Sequence, residues 1–363
     1  MSNKWLDIFY KKKYLGINIE NDWNDFMESL KIKRKNAKKI VVYPGVINVA
    51  YYRVFVPFME LALNPNYDIR ISTMLSSDDN DWADVMYFQR CADRLIIQEA
   101  ERAKTAGVKV IFDTDDYMHN MQFNHPQKKD IENGRFLQDM DDLCKICDLT
   151  TVSTNYLKDA YEKRYRRRVE VLPNCFSMEN WGYPKSGHLG GVNIGWAGSA
   201  THFDDLKEAT PALTQLFEEH DQLRLVTVNY PGFEYTPYKD AFDGIPMDRR
   251  INFSGTQPNL IGNYMRFIDI GLAPLEINEF NRAKSNCKYL EYSLGRTPTI
   301  ATEIEAYQGD TAILVKNRTI NWYKAIEELL DEDVRISKGE EAYKWVMEKY
   351  DIKKNMEKWE MIL

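Results

Sequence analysis

The amino-acid sequence predicts an α/β protein made of two doubly wound parallel sheets. Short apolar runs of strand length alternate with amphipathic helical segments, and this alternation occurs twice along the chain. A passage rich in glycine and proline, residues 182–191, separates the two series and has the composition of a linker. A chain of 363 residues is long enough to bury two cores, so we expect two domains of comparable size.

The predicted elements follow a similar order in both halves of the chain. The first series has strands at 39–43, 68–73, 85–88, 108–113 and 149–152, with helices at 52–63 and 93–106. The second series has strands at 192–196, 223–228, 251–254, 270–274 and 312–315, with helices at 204–219 and 258–267. The tail after residue 320 is expected to be helical, and residues 1–38 read as a helical, aromatic and basic extension.

The most informative stretch runs from residue 269 to residue 302. Its apolar start predicts a buried parallel strand that must stop at Pro274. The polar loop 276–285 follows at the carboxyl end of that strand, where open α/β sheets bind ligands. Ser285 is expected to cap a short helix that ends near Gly295, and a further strand ends at Thr302.

This stretch resembles the C-terminal half of family 4 glycosyltransferases of the GT-B fold. The matched positions are Asn278, Phe280, Asn281, Lys284, Ser285, Lys288, Glu291, Tyr292, Gly295, Pro298 and 300–302. The resemblance implies that Glu291 binds the two ribose hydroxyls of a nucleotide-sugar donor, and that the residues before it meet the diphosphate and the sugar. A carboxylate suits a cis-diol because its two oxygens can accept from both hydroxyls.

The resemblance also implies a GT-B architecture, in which two Rossmann-like domains face each other across a cleft. The expected divisions are an N-terminal extension 1–38, an acceptor-binding domain 39–182, a nucleotide-sugar-binding domain 183–351 and a helix 352–363 that crosses back to the first domain. The passage VLPN before residue 175 is similar to the end of the first domain in this family.

A second matched passage opens the predicted second domain. Its strand, glycine-bearing turn and helix start place backbone N–H groups where a diphosphate is favoured. It is similar to a family passage at Gly195, Gly198, Ser199, His202, Asp205 and Leu206. The nucleotide-sugar-binding residues that the resemblance implies are Gly198, Ser199, His202, Asn281, Lys284, Ser285, Lys288 and Glu291.

Two departures from the family pattern concern the donor site. Many relatives place an arginine and a lysine near the second passage, and here Lys284, Lys288 or Arg282 would have to supply that positive charge. The family's earlier glutamate falls near Ala283, so Glu276, Glu279, or Asn281 with backbone amides would have to take its place.

Acidic and histidine residues cluster after the predicted strand 108–113, again on the ligand-facing side. Such a cluster suits the orientation of an acceptor hydroxyl or contact with the donor sugar. Its members are Asp113, Asp115, Asp116, His119 and His125, and the catalytic candidates are Asp115, Asp116, His119 and Lys284. A metal-binding D-x-D use of Asp113 and Asp115 is the rival interpretation, but the resemblance implies a reaction without a metal. The loop after the first strand makes Gly45, Tyr52 and Arg53 candidates for the acceptor side of the cleft.

Charge, hydropathy and cysteine spacing indicate the compartment of the protein and the kinds of surface that it is suited to bind. The formal charge is −7 and the pI is near 5.5, yet basic residues concentrate in the first forty residues and in 163–168. No run is apolar enough to span a membrane and no signal peptide is apparent, so a cytoplasmic protein is expected. Cys144 and Cys147 lie in an apolar-periodic segment and are expected to pack in a core.

The expected reaction is transfer of a sugar from a nucleoside diphosphate, most simply a UDP-sugar, to an acceptor hydroxyl with retention at the anomeric carbon. The basic segments fit a hydroxylated DNA base as acceptor, and they fit docking to an anionic membrane to modify a lipid or envelope glycan equally well. A nucleotide-sugar-binding protein without catalysis and a sugar-nucleotide epimerase of similar fold are the alternatives.

Overall fold

A computed structural model describes residues 19–45, 50–121, 128–181, 189–198, 202–228, 241–253 and 261–363. Among the predicted site residues, Ser199 and His125 lie outside these ranges. The chain divides into two compact units. Unit 1 contains the described residues up to Asn180, with Ala283–Ser285 and Tyr350–Leu363, and unit 2 contains Trp181–Arg282 and Asn286–Lys349.

Unit 1 is built on a six-stranded parallel sheet with the order β2-β1-β3-β4-β5-β6. The strands are β1 Lys38–Pro44, β2 Tyr67–Ile71, β3 Val85–Gln89, β4 Lys109–Thr114, β5 Leu149–Val152 and β6 Val169–Val171. Strands β1, β3 and β4 are almost continuously buried, which explains why they read as unbroken apolar runs rather than as alternating ones.

Unit 2 has a second six-stranded parallel sheet, with the order β12-β11-β10-β7-β8-β9. Its strands are β7 Val192–Ala197, β8 Leu223–Val228, β9 Arg250–Phe253, β10 Ile270–Ala273, β11 Thr299–Thr302 and β12 Ile313–Val315. The strand order reverses between β7 and β10, and this reversal is the switch point at which such sheets bind ligands.

Helices cover both sheets. Those of unit 1 before the linker are α1 Ile19–Ser29, α2 Val56–Leu61, α3 Ser77–Trp82, α4 Arg94–Thr105, α5 Lys128–Asn133, α6 Phe136–Ile146 and α7 Asn155–Tyr165. The short helix α8 Met178–Trp181 ends where unit 2 begins. Unit 2 then contributes α9 Phe203–Leu206, α10 Thr210–Glu219, α11 Gly262–Met265, α12 Glu279–Arg282, α13 Cys287–Leu294, α14 Thr319–Glu328 and α15 Glu332–Lys349, and α16 Ile352–Ile362 returns to unit 1.

The core of unit 1 includes residues from both ends of the described chain. Trp23 of α1 is fully buried and its Nε1 donates to the Ile69 carbonyl oxygen of β2 at 2.8 Å. Trp359 of α16 is buried against Phe58 and Tyr87, with ring centroids 5.8 and 6.2 Å apart. Helices α1 and α16 therefore belong to the hydrophobic core that β1, β2 and α2 share.

The predicted α/β class with two doubly wound sheets is confirmed. Two predicted helices differ in detail. The helix at 52–63 opens with a π turn, Tyr51–Phe55, before α2 begins. The helix at 204–219 is divided into α9 and α10 because Pro211 occupies the first turn of α10 and cannot donate to a preceding turn.

The cysteine pair of the sequence and the length of the helices each answer a question that the sequence raised. Cys144 and Cys147 are buried, and burial is the main cause that raises the pKa of each thiol, as expected for core residues rather than reactive ones. Across the described ranges, every helix is either too short or too polar to traverse a lipid bilayer.

Candidate functional site

The switch point of unit 2 brings two matched passages side by side. Strands β7 and β10 are parallel neighbours, with Ile194 opposite Ile270 and Gly195 opposite Gly271. Their carboxyl ends therefore lie at one edge of the sheet. The turn after Ala197 and the loop after Ala273 both start from that edge.

Tyr292 fixes helix α13 against these two strands. Its hydroxyl accepts from the backbone N–H of Ala197 at 2.9 Å, and its hydrogen faces the carbonyl oxygens of Leu272 and Gly195 at 3.2 and 3.3 Å. A Cβ on Gly271 would lie 2.5 Å from the Tyr292 ring, so the close approach requires glycine in β10. This contact sets the position from which α13 presents Lys288 and Glu291.

Asp205 joins the two loops at the edge. Its carboxylate is 1% exposed and accepts hydrogen bonds from described residues of both loops. Oδ1 accepts from the backbone N–H of Glu276 at 2.8 Å and from Nδ2 of Asn281 at 2.8 Å, while Oδ2 lies 2.7 Å from Nδ1 of His202. Asn281 also donates to the Glu276 carbonyl oxygen at 2.9 Å. This bond closes the loop segment 276–281 on itself.

His202 connects this network to helix α13. Its Nε2 lies 3.3 Å from Nζ of Lys288, and its ring meets the edge of Trp196 with centroids 6.2 Å apart. Of the residues that the resemblance implied for the donor, His202, Asn281 and Lys288 are thus brought together by direct or shared contacts.

Glu291 is half-buried on α13. It follows Lys288 by three residues, so the two side chains share one face of the helix. Helix α13 begins at Cys287 without a side-chain cap, because Asn286 in the cap position donates instead to Oδ2 of Asp310 at 2.7 Å. The first turn therefore keeps the positive end of the helix dipole.

Two expectations near α13 are wrong, the Ser285 cap and the C′ position of Gly295. Ser285 does not cap the helix, since it lies two residues before Cys287 in the segment Ala283–Ser285, which belongs to unit 1 together with Lys284. The left-handed residue after the helix is Arg296, with φ 57°, and Gly295 has φ −82°. Arg282, one of the cations proposed for the phosphate, forms an ion pair with Glu305 through Nη1.

Gly198 has a packing role at the end of β7. Its N–H donates to the Val228 carbonyl oxygen at 3.0 Å, and a Cβ at this position would lie 2.6 Å from the ring of Trp196. Glycine is therefore required by the neighbouring tryptophan as well as suited to close approach of a ligand.

The structure corrects the prediction for Arg53 in unit 1. Its side chain is fully buried and forms a bidentate ion pair with Asp113, with Nη2–Oδ1 and Nε–Oδ2 distances of 2.5 and 3.0 Å. Burial alone would lower the pKa of Arg53, but Asp113 reverses the shift and raises it. Thr151 also donates to Asp113 at 2.7 Å, so the two charged groups are satisfied by partners inside the core of unit 1.

Asp115 and Asp116 share a different partner. Nη1 of Arg90 lies 2.7 Å from Oδ2 of Asp116 and 3.5 Å from Oδ1 of Asp115. Burial first, and then the charge of Asp116, raise the pKa of Asp115 to about 7 despite the opposing effect of Arg90. Arg90 has φ 49°, a left-handed conformation that an arginine rarely adopts and that is common at functional sites.

His119 faces a different acid, Asp141. Its Nε2 lies 2.8 Å from Oδ1 of Asp141 on α6, and its ring packs edge-on against Tyr161 and Tyr165 of α7. Burial, followed by the charge of Arg164, lowers the pKa of His119 in spite of Asp141. Tyr161 also donates to the Asp116 carbonyl oxygen at 3.2 Å, so His119 is linked to the segment of Asp115 and Asp116 through this ring.

The other predicted acceptor-side residues are placed by packing. Gly45 follows β1, and a Cβ there would lie 2.6 Å from the Gln89 carbonyl oxygen, so the end of β3 requires glycine at this point. Tyr52 is half-buried and packs edge-on against Tyr51, with centroids 4.8 Å apart.

Within the described ranges, no group of three or more histidine, cysteine or acidic side chains is arranged to hold a metal ion. The rival D-x-D interpretation also conflicts with the contacts, because Asp113 is paired with Arg53 and Asp115 with Arg90.

Sequence reasoning missed Arg90 and underrated Asp205. Arg90 follows the apolar strand β3 directly, and a charged residue at the carboxyl end of a buried strand is the signal that could have found it. Asp205 was matched in the glycine-bearing passage, but only the fold shows that its carboxylate reaches the loop 76 residues further along.

Comparisons with known proteins give a consistent result. No protein-family model matches the sequence, and no curated protein is similar to it in sequence. Solved structures match over most of the chain. HepE of Anabaena, in complex with UDP and glucose, has a TM-score of 0.60 at 11% identity, over 90% of this chain and 98% of that chain. This chain has the GT-B fold.

Two other similar structures have the same architecture. Trehalose-6-phosphate synthase OtsA has a TM-score of 0.56 at 14% identity, over 89% of this chain and 98% of that one. A TarM variant of S. aureus, in complex with UDP and other ligands, has a TM-score of 0.58 at 11% identity, over 77% of this chain and 55% of that one. The predicted GT-B architecture is confirmed at the level of the fold.

Proposed function

We propose that this protein transfers a sugar from a nucleoside-diphosphate donor to an acceptor hydroxyl, with retention at the anomeric carbon. The observation that carries the proposal is the convergence at the switch point of unit 2. Residues from two matched passages, His202 and Asp205 on one side and Glu276 and Asn281 on the other, are joined there by hydrogen bonds and lead to Lys288 of α13. The similar structures that carry UDP favour a UDP-sugar as donor.

The proposed donor site assigns each group a task. Glu291 accepts hydrogen bonds from the two ribose hydroxyls, because a half-buried carboxylate offers two oxygens to a cis-diol. Lys288 and the uncapped first turn of α13 stabilise the diphosphate by fixed positive potential, which grows in importance as the leaving group gains charge. Asn281 is proposed to take the role of the relatives' earlier glutamate, which falls near Ala283 in this sequence. We include Gly198, Ser199, Lys284 and Ser285 in the donor set on the resemblance.

The proposed acceptor side is the carboxyl edge of unit 1. Arg90 holds Asp115 and Asp116 there, and a carboxyl with a pKa near 7 is suited to exchange a hydrogen bond with a hydroxyl at neutral pH. His119 and Tyr52 are proposed to shape this edge, and Gly45 to permit close approach. No step requires Arg53, which is held by Asp113.

We propose a hydroxylated DNA base or an envelope glycan or lipid as acceptor, because both classes are anionic or lie at anionic surfaces. Several arginines of segment 163–168 are paired within unit 1, so the segment contributes less to such docking than its sequence predicts. Arg164 is paired with Asp141 at 2.6 Å, Arg168 is paired with Glu170, and Arg167 donates to the Cys147 carbonyl oxygen at 2.7 Å. Salt-sensitive retention on duplex DNA, compared with anionic vesicles, separates the two classes.

The proposal is tested first by donor binding. We expect UDP to raise the melting temperature more than GDP or ADP, and Glu291→Ala to weaken UDP binding roughly 10- to 100-fold, because two charge-assisted hydrogen bonds are lost. The matched control is Glu328→Ala, an exposed helical glutamate of the same unit, which should leave the Kd unchanged. Equal UDP affinity in the wild type and Glu291→Ala, measured by titration calorimetry, would overturn the assignment.

Turnover distinguishes the proposed function from its alternatives. Incubation with UDP-, GDP- and ADP-sugars should release a nucleoside diphosphate when an acceptor is present. Formation of a new sugar-nucleotide epimer would identify an epimerase, and donor binding without any product across the acceptor panel would identify a binding protein.

A further inference from the structure

The carboxylate of Asp205 determines which nitrogen of His202 carries a proton. An ionised carboxylate only accepts hydrogen bonds, and Oδ2 of Asp205 lies 2.7 Å from Nδ1 of His202. Nδ1 must therefore be the N–H side of the ring. In the neutral ring Nε2 is then an acceptor, and it faces Lys288 Nζ, a pure donor, at 3.3 Å. The three groups form a chain with one consistent direction of donation, from Lys288 to His202 to Asp205.

The other two bonds of Asp205 make this arrangement stable. Oδ1 accepts from the Glu276 amide and from Asn281 Nδ2, both at 2.8 Å, and the carboxylate is 1% exposed. The edge contact between the rings of His202 and Trp196 limits rotation of the imidazole. A buried carboxylate held at three points cannot turn away to release the histidine.

We propose that Asp205 is a positioning residue for the donor site, acting through the tautomer of His202 to hold the ammonium group of Lys288. The inference rests on the proposed function, in which Lys288 meets the donor diphosphate. A lysine side chain loses rotational entropy when it is fixed in one orientation. Because His202 restricts Lys288 before the donor arrives, part of that loss no longer opposes binding.

Asp205→Asn provides a test that preserves shape. Asparagine keeps an oxygen for the two donors, the Glu276 amide and Asn281, because the reverse orientation would direct its NH₂ at both of them. Its NH₂ group then faces His202, whose Nδ1 must become an acceptor. The proton moves to Nε2, where it opposes Lys288. The substitution thus changes the tautomer and removes one acceptor from Lys288 while the loop contacts remain.

The experiment measures UDP affinity by titration calorimetry and the His202 tautomer by ¹⁵N NMR. We expect Asp205→Asn to move the ring proton from Nδ1 to Nε2 and to raise the Kd for UDP about 10-fold. Lys288→Met should raise the Kd at least as much, and the double variant should have the same Kd as Lys288→Met alone, because Asp205 acts only through the Lys288 ammonium group. His202→Phe, which keeps the ring packing and lacks both nitrogens, serves as a second variant with the same expected Kd.

The matched control is Asp269→Asn, the same chemical change in unit 2. Asp269 Oδ2 accepts from the backbone N–H and the side chain of Asn193 at 2.9 and 2.8 Å, a contact that does not involve the ring proton of His202, so UDP affinity should be unchanged. If the wild type binds no nucleoside diphosphate, the proposed function fails. If the wild type binds UDP while Asp205→Asn keeps full affinity, keeps the original tautomer, or adds its whole effect to that of Lys288→Met, the positioning role alone fails.

Discussion

At the scale of single residues, the fold separates side chains that look alike in the sequence. Asp113, Asp115 and Asp116 stand within four positions, yet Asp113 is fully buried with Arg53 while the other two share Arg90. The strand explains the difference, because Asp113 still belongs to β4, whereas Asp115 and Asp116 follow its end. The acidic cluster in the sequence therefore contains a structural ion pair, Asp113 with Arg53. A candidate site, Asp115 and Asp116 with Arg90, follows directly after it.

The raised pKa of Asp115 predicts that the free energy of unfolding depends on pH. A carboxyl that is easier to protonate in the folded protein than in the unfolded chain opposes folding when it is ionised. The penalty is complete above pH 7 and disappears as the pH falls towards 4, so the protein gains stability from this group on acidification over that window. Asp115→Asn should therefore increase the free energy of unfolding at pH 8 by on the order of 1 kcal/mol and leave it unchanged at pH 4.

Urea denaturation of the wild type and Asp115→Asn at pH 4, 6 and 8 measures this difference. Asp148→Asn is a suitable comparison, since Asp148 is exposed and paired with Lys104 at 2.9 Å. A difference for Asp115→Asn that stays constant from pH 4 to pH 8 would contradict a raised pKa. Loss of transfer activity in a more stable variant would show that Asp115 is retained for function at the expense of stability.

At the scale of elements, the sequence predicted most strands because they are buried on both sides and read as short apolar runs. It predicted less well where tertiary contacts decide a boundary. Helix α13 begins at Cys287, not at a Ser285 cap, because the Asn286 side chain is drawn to Asp310. The predicted donor loop was located from its motif, but its closure by Asp205 depends on a contact between β7 and β10 that no local pattern reveals.

Tyr292 shows how one side chain links three elements at that site. Tyr292→Phe keeps the ring against Gly271 but leaves the Ala197 N–H without its acceptor in a fully buried position. We expect a loss of about 1–3 kcal/mol in the free energy of unfolding, with faster hydrogen exchange at the Ala197 amide. Tyr323→Phe, which removes an exposed hydroxyl bonded to Glu327, should change stability by less than about 0.5 kcal/mol. Unchanged exchange at Ala197 would show that the hydroxyl does not fix the end of β7.

At the scale of the whole molecule, the chain leaves unit 1 after Asn180, contributes Ala283–Ser285 to it, and returns to it finally at Tyr350. The return is fixed by backbone bonds, since Phe176 N–H donates to the Tyr350 carbonyl oxygen at 3.0 Å and Ile352 N–H donates to that of Phe176 at 2.9 Å. Helix α16 then adds Trp359 to a core made mainly by the first 180 residues. The last residues of the described chain thus complete the packing of the first sheet.

Trp359→Ala tests whether the core of unit 1 depends on α16. Cys175 reports on the unfolding of unit 1 and Cys287 on that of unit 2. Removing a fully buried indole should lower the free energy of unfolding of unit 1 by about 3–5 kcal/mol. Cys175, buried in the same core, should then react with iodoacetamide at urea concentrations where the wild-type thiol is protected. Cys287 should react at the wild-type rate, because it belongs to unit 2 whereas α16 belongs to unit 1. An equal rise at both thiols would mean that the two units unfold as one body, and protection of Cys175 in the variant would mean that the core of unit 1 closes without its final helix.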